Sequence, residues 1–314
     1  RVRFLQYIPH LERLGAQVTV HPLLPPDHLT RLYEGRSRAP LMVAAAMAQR
    51  FWHTINGRDD HIIWLQRELL PFMYYKNLTS WLGRAAYGLK IEALMQQANA
   101  VVVGNRTLAE YASEVGATNI HLIPSAVDVQ RFQKPAVGTQ ADFQIGWIGT
   151  PVTASQSLPL VREPLMQFLS DYQAKCIFIG VGRDQFPEIP ADRVTWSEAA
   201  EVEVLPRLSV GLCPLDDTPW NRGKSGYKII QYMASGKPAL ASPVGIAAEM
   251  IDHGVTGFHC ATPDDWYSYL VQLYKDADLR ASMGKCALSE AKSRYDTAPA
   301  AAALYKIFED CQHA

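Results

Sequence analysis

No run of about 18 uninterrupted apolar residues occurs in the 314-residue chain, so no segment reads as a membrane-spanning helix. An excess of one charge is missing too. Thirty Lys and Arg against 31 Asp and Glu leave a formal net charge of −1, which excludes the basic footprint of a nucleic-acid binder and any acidic tail. The five cysteines (Cys176, Cys213, Cys260, Cys286, Cys311) are odd in number and form no C-x-x-C pair. That excludes a disulfide framework and a structural zinc site, and sets the expected compartment as the cytoplasm. In that setting the sequons Asn77-Leu78-Thr79 and Asn105-Arg106-Thr107 are chance matches. No pattern calls for a metal or a bound cofactor. Hydrophobic residues make up 48% of the chain, ample at this length for two cores.

Apolar runs and helical stripes alternate along the whole chain. Phe4, Leu5, Ile8, Leu11 and Leu14 form a helical stripe stopped by Gly15, and residues 17–23 follow as a strand. A Rossmann-like half starts with a strand and a glycine turn. Neither precedes this stripe, and the chain opens at Arg1. The expectation is an amino-terminal domain lacking its first strand, truncated or naturally reduced.

Helices are expected at 29–34 and 41–54, and a strand at 61–66. Arg67 and Glu68 follow at that strand's carboxyl end, where open α/β sheets collect ligands. They are acceptor-side candidates or, equally, a structural ion pair. The aromatic stretch 70–82 either packs into the core or faces a lipid-linked acceptor at the membrane surface. Helices at 85–98 and 107–115 and strands at 100–103 and 119–123 complete the first half. Residues 133–141 read as the linker. The second half alternates a strand (143–149), helix (158–172), strands (176–181 and 193–196), helix (198–205) and strand (208–215), with three helices after Gly257. Gly180-Val181-Gly182 reads as a tight turn. The alternation predicts two doubly wound α/β domains with ligands in the cleft between them.

Residues 222–257 carry the chemistry. A helix over 225–235 ends at Gly236 with Pro238 beyond it, and 238–242 is a short buried strand. Arg222, Lys224 and Lys228 crowd the front of that helix, where the macrodipole disfavours cations by about 0.3–1 kcal/mol each. Together with Gly223 and Gly226 they make a phosphate cradle, the bland alternative being lysines extended into solvent. His10, His21, His53 and His61 read as structural, and His253 as a cation at a helix carboxyl end.

The stretch resembles the donor-binding signature of family 4 glycosyltransferases, retaining enzymes of the GT-B fold. Gln231-Tyr232-Met233-Ala234-Ser235-Gly236-Lys237-Pro238 is similar to the middle of that signature, and Gly245, Glu249, Gly254 and Gly257 to its end. Lys224-Ser225-Gly226-Tyr227-Lys228 with Gln231-Tyr232-Met233 resembles one branch of the family. Gln231 stands at the position of the second motif glutamate and Gly223 at that of the first. Thr150 stands where most relatives have a phosphate-binding arginine, and Ser155 near the usual lysine. Pro124-Ser125-Ala126-Val127-Asp128 is similar to the segment that closes the first domain in these enzymes.

The resemblance implies a two-domain GT-B protein. An acceptor-side domain would span 1–135, a donor-binding domain 142–296, and a terminal helix, 297–314, would pack back on the first. It implies metal-independent, retaining transfer of a sugar from a nucleotide diphosphate donor to an unidentified glycan or lipid-linked acceptor. Lys224 and Lys228 would neutralise the leaving diphosphate. Thr150, Pro151, Arg222, Gly223, Ser225, Gly226 and Tyr227 would line the donor, with Gln231 on the ribose. The competing reading is a degenerate GT-B protein that binds a nucleotide sugar or a partner without turnover. The protein would be cytoplasmic, at most peripheral to the membrane.

Overall fold

The computed structural model describes residues 5–20, 90–133 and 142–312. The elements expected between 21 and 89, including Arg67, Glu68 and the aromatic stretch 70–82, lie outside the described residues, as do His21, His53, His61 and linker positions 134–141.

The second half is a six-stranded sheet, parallel throughout. Its strands are β3 (Phe143–Ile148), β4 (Ala174–Ile179), β5 (Ala191–Val194), β6 (Val210–Cys213), β7 (Ala239–Ala241) and β8 (Gly257–His259), in the spatial order β5-β4-β3-β6-β7-β8. Parallel strands buried on both faces need continuous apolar runs, and every residue of β3, β6 and β7 is buried. Phe143, Ile145, Trp147, Cys176, Phe178, Val210 and Leu212 feed one core. Ile148, Ile177, Ile179 and Cys213 feed the core on the opposite face. Helices cover both. The strand order reverses between β3 and β6, the topological switch point where such sheets bind ligands beyond the strands' carboxyl ends.

Two boundaries differ from expectation for local reasons. The helix expected over 158–172 begins as a 3₁₀ turn at Leu158–Leu160 and continues as α5 (Arg162–Asp171), and an unforeseen helix, α4 (Pro151–Ser157), precedes it. Thr150 caps α4 with Pro151 at its first position, an arrangement that starts a helix where a turn was expected. β8 was not foreseen: three residues, Gly257, Phe258 and His259, pair with β7 at the sheet edge, too short a run for periodicity to register.

In the first half, α1 (Ile8–Arg13) is followed by residues 16–20 in no regular structure, so the described part of the expected strand 17–23 is not a strand. There α2 (Lys90–Gln97) leads to β1 (Val101–Val103), α3 (Arg106–Glu114) and β2 (Ile120–Leu122), a parallel β-α-β unit. Beyond the sheet domain's α6 (Glu198–Val204), α7 (Pro219–Arg222), α8 (Tyr227–Ala234), α9 (Ile246–Met250), α10 (Pro263–Lys275) and α11 (Ala277–Arg294) runs α12 (Thr297–Gln312). Ala300, Ala301 and Leu304 of α12 pack against Tyr7, Leu11 and Ala126. Val127 N–H donates to Tyr295 O, and Thr297 N–H to Val127 O. None of the described helices is long and apolar enough to cross a membrane.

Candidate anion site at the switch point

Two turns meet at the switch point. The first leaves β3 at Gly149 and Thr150. Its floor is Trp147, fully buried, whose indole ring leaves no room for a Cβ on Gly149. The Thr150 hydroxyl accepts from Thr153 N–H at 3.3 Å and lies 3.0 Å from the Thr153 hydroxyl. Pro151 O accepts from Gln185 Nε2 (3.1 Å), whose Oε1 accepts from Gly182 N–H (2.9 Å). Gln185 Nε2 also donates to Ser155 Oγ at 2.7 Å. The polar groups of this turn are largely engaged with each other.

The second turn, between β6 and α8, is built as a rigid bracket. Thr218 caps the single-turn α7, accepting from Asn221 N–H. Asn221 is buried and its Nδ2 donates to Asp216 O and Oδ1. The Arg222 guanidinium grips Asp217 in a fork at 2.6 and 2.8 Å, which holds that carboxyl below its usual range. Arg222 is thus committed to a neighbouring carboxylate. Gly223 N–H donates to Pro219 O, so it is not free for the cradle expected of it, and Lys224 N–H donates to Asn221 O.

Helix α8 starts two residues later than the sequence suggested, because Gly226 adopts the left-handed conformation (φ 63°) and serves as an N-cap without a side chain. A Cβ there would overlap Met250 Sδ. Only glycine combines that φ with that proximity. Tyr232 then pins the helix: its ring lies over Gly211, which has no Cβ to obstruct it, and its hydroxyl donates to Leu212 O at 3.1 Å.

This anchoring sets Lys228 in the first turn of α8, with Nζ 3.9 Å from the centroid of the Trp147 ring, a cation–π contact. Lys228 is half-buried. Its pKa is lowered to about 8, chiefly by desolvation, with Cys213 opposing the shift and the nearby Lys224 adding to it. Lys224 is also half-buried and also lowered, again chiefly by desolvation, with Cys213 and Asp216 opposing. Burial pushes the Cys213 thiol up despite both lysines. Two neighbouring ammonium groups that both suffer from desolvation form a site in deficit of negative charge.

Gln231 is placed differently. It is 2% exposed, on the buried side of α8. Its amide faces Glu201 and favours that carboxyl's ionised form, while burial, the larger influence, raises the Glu201 pKa. The Gln231 Nε2 nonetheless reaches no acceptor at hydrogen-bonding distance. The structure therefore brings Lys224, Gly226 and Lys228 to the β3–β6 switch point beside Thr150 and Pro151. It ties Arg222 and Gly223 into the bracket and sinks Gln231 beneath the site. Ser225 and Tyr227 lie between the two lysines in sequence, and both have interaction partners.

Trp147 was missed as a site residue. The only signal was its place in the strand before the Gly149 turn, which reads equally as core. Asn105, matched earlier to a chance sequon, is 2% exposed and caps α3. Among the described residues no three His, Cys, Asp or Glu side chains group as a metal site. An open depression of about 530 Å³ between α9 and α11, lined by Glu249, Asp252, Cys286, Glu290 and Arg294 among others, includes none of the site residues above.

Comparison with known proteins agrees with this geometry. Residues 143–276 match the family described as Glycosyl transferases group 1. Over 109 residues the chain is 28% identical to the D-inositol 3-phosphate glycosyltransferase of Paenarthrobacter aurescens, covering 34% of this chain and 24% of that enzyme. It thus spans about a quarter of that relative's length. The fold is similar to that of Anabaena HepE solved with UDP-glucose (TM-score 0.54, 16% identity, 71% of this chain and 66% of that one). It is similar also to the pneumococcal O-GlcNAc transferase GtfA solved with UDP and GlcNAc (0.57, 14%, 71% and 47%). A glycosyltransferase of Rickettsia africae gives 0.59 at 13% identity, over 72% and 67%. At these identities the likeness establishes the fold alone: a mixed α/β, parallel-sheet protein of the GT-B kind, consistent with two Rossmann-like domains.

Proposed function

We propose that the chain is part or all of a transferase that moves a glycosyl group from a nucleoside diphosphate sugar to a hydroxyl acceptor, with retention and without a metal. The observation that carries this reading is the pair Lys224 and Lys228, half-buried and lowered in pKa at the switch point. As the glycosidic bond breaks, one further negative charge builds on a departing diphosphate that already carries two. Two ammonium groups that are poorly solvated beforehand gain most when that charge arrives, a contribution worth about 3–4 kcal/mol for a strong donor. The family match over the sheet domain, and the UDP and UDP-sugar ligands of the structural relatives, support a diphosphate donor. The domain division at about 1–135, 142–296 and 297–314 belongs to the same proposal, as do a cytoplasmic location and an unidentified glycan or lipid-linked acceptor.

A second reading has its own observation. Gly223 has no side chain with which to hold a donor sugar, and Gln231 is too deep to meet a ribose without rearrangement. Both favour a protein that binds a nucleotide sugar without turning it over.

The test is isothermal titration with UDP, GDP, ADP and their sugar conjugates, on the chain and on Lys224→Ala/Lys228→Ala. Binding of one diphosphate series, weakened about 100-fold or more in the double variant, is the expected result. Release of nucleoside diphosphate from the bound sugar conjugate then separates transferase from binding protein. A folded chain that binds no diphosphate removes both readings.

A further inference from the structure

The lysine bracket is held from outside its own domain. Asn105, between β1 and α3, is the N-cap of α3: its Oδ1 accepts from Leu108 N–H at 2.9 Å. Its Nδ2 donates to the backbone carbonyl of Lys224 at 3.0 Å, across 119 positions of sequence. The side chain is 2% exposed, so water does not replace either bond cheaply. Serine, threonine and aspartate cap helices as well as asparagine does. Asparagine alone among them adds an NH₂ group long enough to reach a second peptide while its oxygen caps.

Two further contacts lie at the same corner. A Cβ on Gly223 would stand 3.7 Å from Leu108 Cδ2, and as far from Pro219 O and Trp220 O, so the two elements are in ordinary contact there. Arg106 Nε lies 3.6 Å from Glu249 Oε2, but both side chains are well exposed, and such a pair contributes little. The directional tie is the Asn105 bond. It grips the Lys224 peptide on one side while Asn221 O accepts the Lys224 N–H on the other.

We propose that Asn105 is a positioning residue of the anion site: its bond to Lys224 O sets the Lys224 ammonium beside Lys228, so the β1–α3 corner and the lysine loop engage a diphosphate as one unit. This rests on the diphosphate reading above.

The experiment is UDP and inorganic pyrophosphate binding by calorimetry from pH 6.5 to 9.5. It compares the chain with Asn105→Ser, which keeps the cap but is too short for Lys224, and with Arg106→Ala as the control. Cys213 faces both lysines and Asp216 faces Lys224, while Lys224 acts on Lys228. Affinity in the unaltered chain is expected to fall above pH about 8, as Lys228 loses its proton. Asn105→Ser should weaken both probes roughly tenfold at neutral pH. It should also move the fall-off upward, because Lys228 loses a neighbour that lowers its pKa. Arg106→Ala should leave both quantities unchanged.

A serine variant with lowered thermal stability but unaltered affinity and pH dependence would mean that Asn105 is only a cap, and would overturn the proposal. If serine frays α3, Asn105→Thr, a second neutral cap with no NH₂, gives the same decision from affinity and pH dependence. If the unaltered chain binds neither probe, the diphosphate reading itself falls, a different and separable result.

Discussion

The β3–α4 and β6–α8 turns face each other across the switch point and begin their helices in opposite ways. At the first, Thr150 caps, Pro151 opens the helix, and Gln185 occupies the exposed polar atoms. At the second, a left-handed glycine stands where a capping side chain would be, and cations occupy the approach and first turn. The first arrangement is what stability alone selects. The second gives up a cap worth about 1 kcal/mol and accepts two unfavourable charges. On the proposed reading, a bound diphosphate is what offsets that cost.

Lys228→Met is the sharpest way to break the contrast. Removing an ammonium whose dominant influence is desolvation should raise thermal stability at pH 7 while reducing transfer, or diphosphate affinity, about 100-fold or more. The sign follows from linkage. Because the folded-state pKa lies below the ordinary 10.5, this group's cost to folding is full below pH about 8 and fades as pH rises toward about 10.5. The stability gained by Lys228→Met should fade over the same window, as thermal scans from pH 7 to 10.5 would show. A variant that loses stability at neutral pH would make the lysine an ordinary structural cation.

Gly226→Ala comes next. Left-handed backbone and overlap with Met250 Sδ should together cost about 1–3 kcal/mol in denaturant unfolding, with diphosphate binding weakened because the lysines ride on the turn. Thr150→Ala should be the mildest, losing about 1 kcal/mol of stability with the cap and changing diphosphate affinity less than about threefold. If Thr150→Ala instead abolished binding, the two turns would be equivalent and the comparison would fail.

The α/β alternation, the short buried strands and the helix stop at Gly236 were legible because periodicity and glycine chemistry are local. Lys224 and Lys228 stood out for a similar reason: cations at a helix start contradict the macrodipole, and the contradiction lies in adjacent residues. The fate of the other site residues was not local. Arg222 is claimed by Asp217, five positions back, and Gln231 points to Glu201 on another helix. Asn105 reaches Lys224 across 119 positions, a partnership that no spacing rule encodes. The Thr150 turn was read through the missing arginine when its own sequence, Thr-Pro followed by Thr153, already described a capped helix.

The packing of α1 against α12 has a consequence for how the chain assembles. Tyr7 and Leu11 find their apolar partners Ala300, Ala301 and Leu304 nearly three hundred residues further along the chain. The His10 Nε2 contact with the Thr297 hydroxyl (3.2 Å) spans the same interval. Contacts of such separation close late. The sheet domain, whose strands pair over shorter stretches, can be complete while α1 still exposes its apolar face. The seam between α1 and α12 is therefore expected to be among the last parts of the described structure to close.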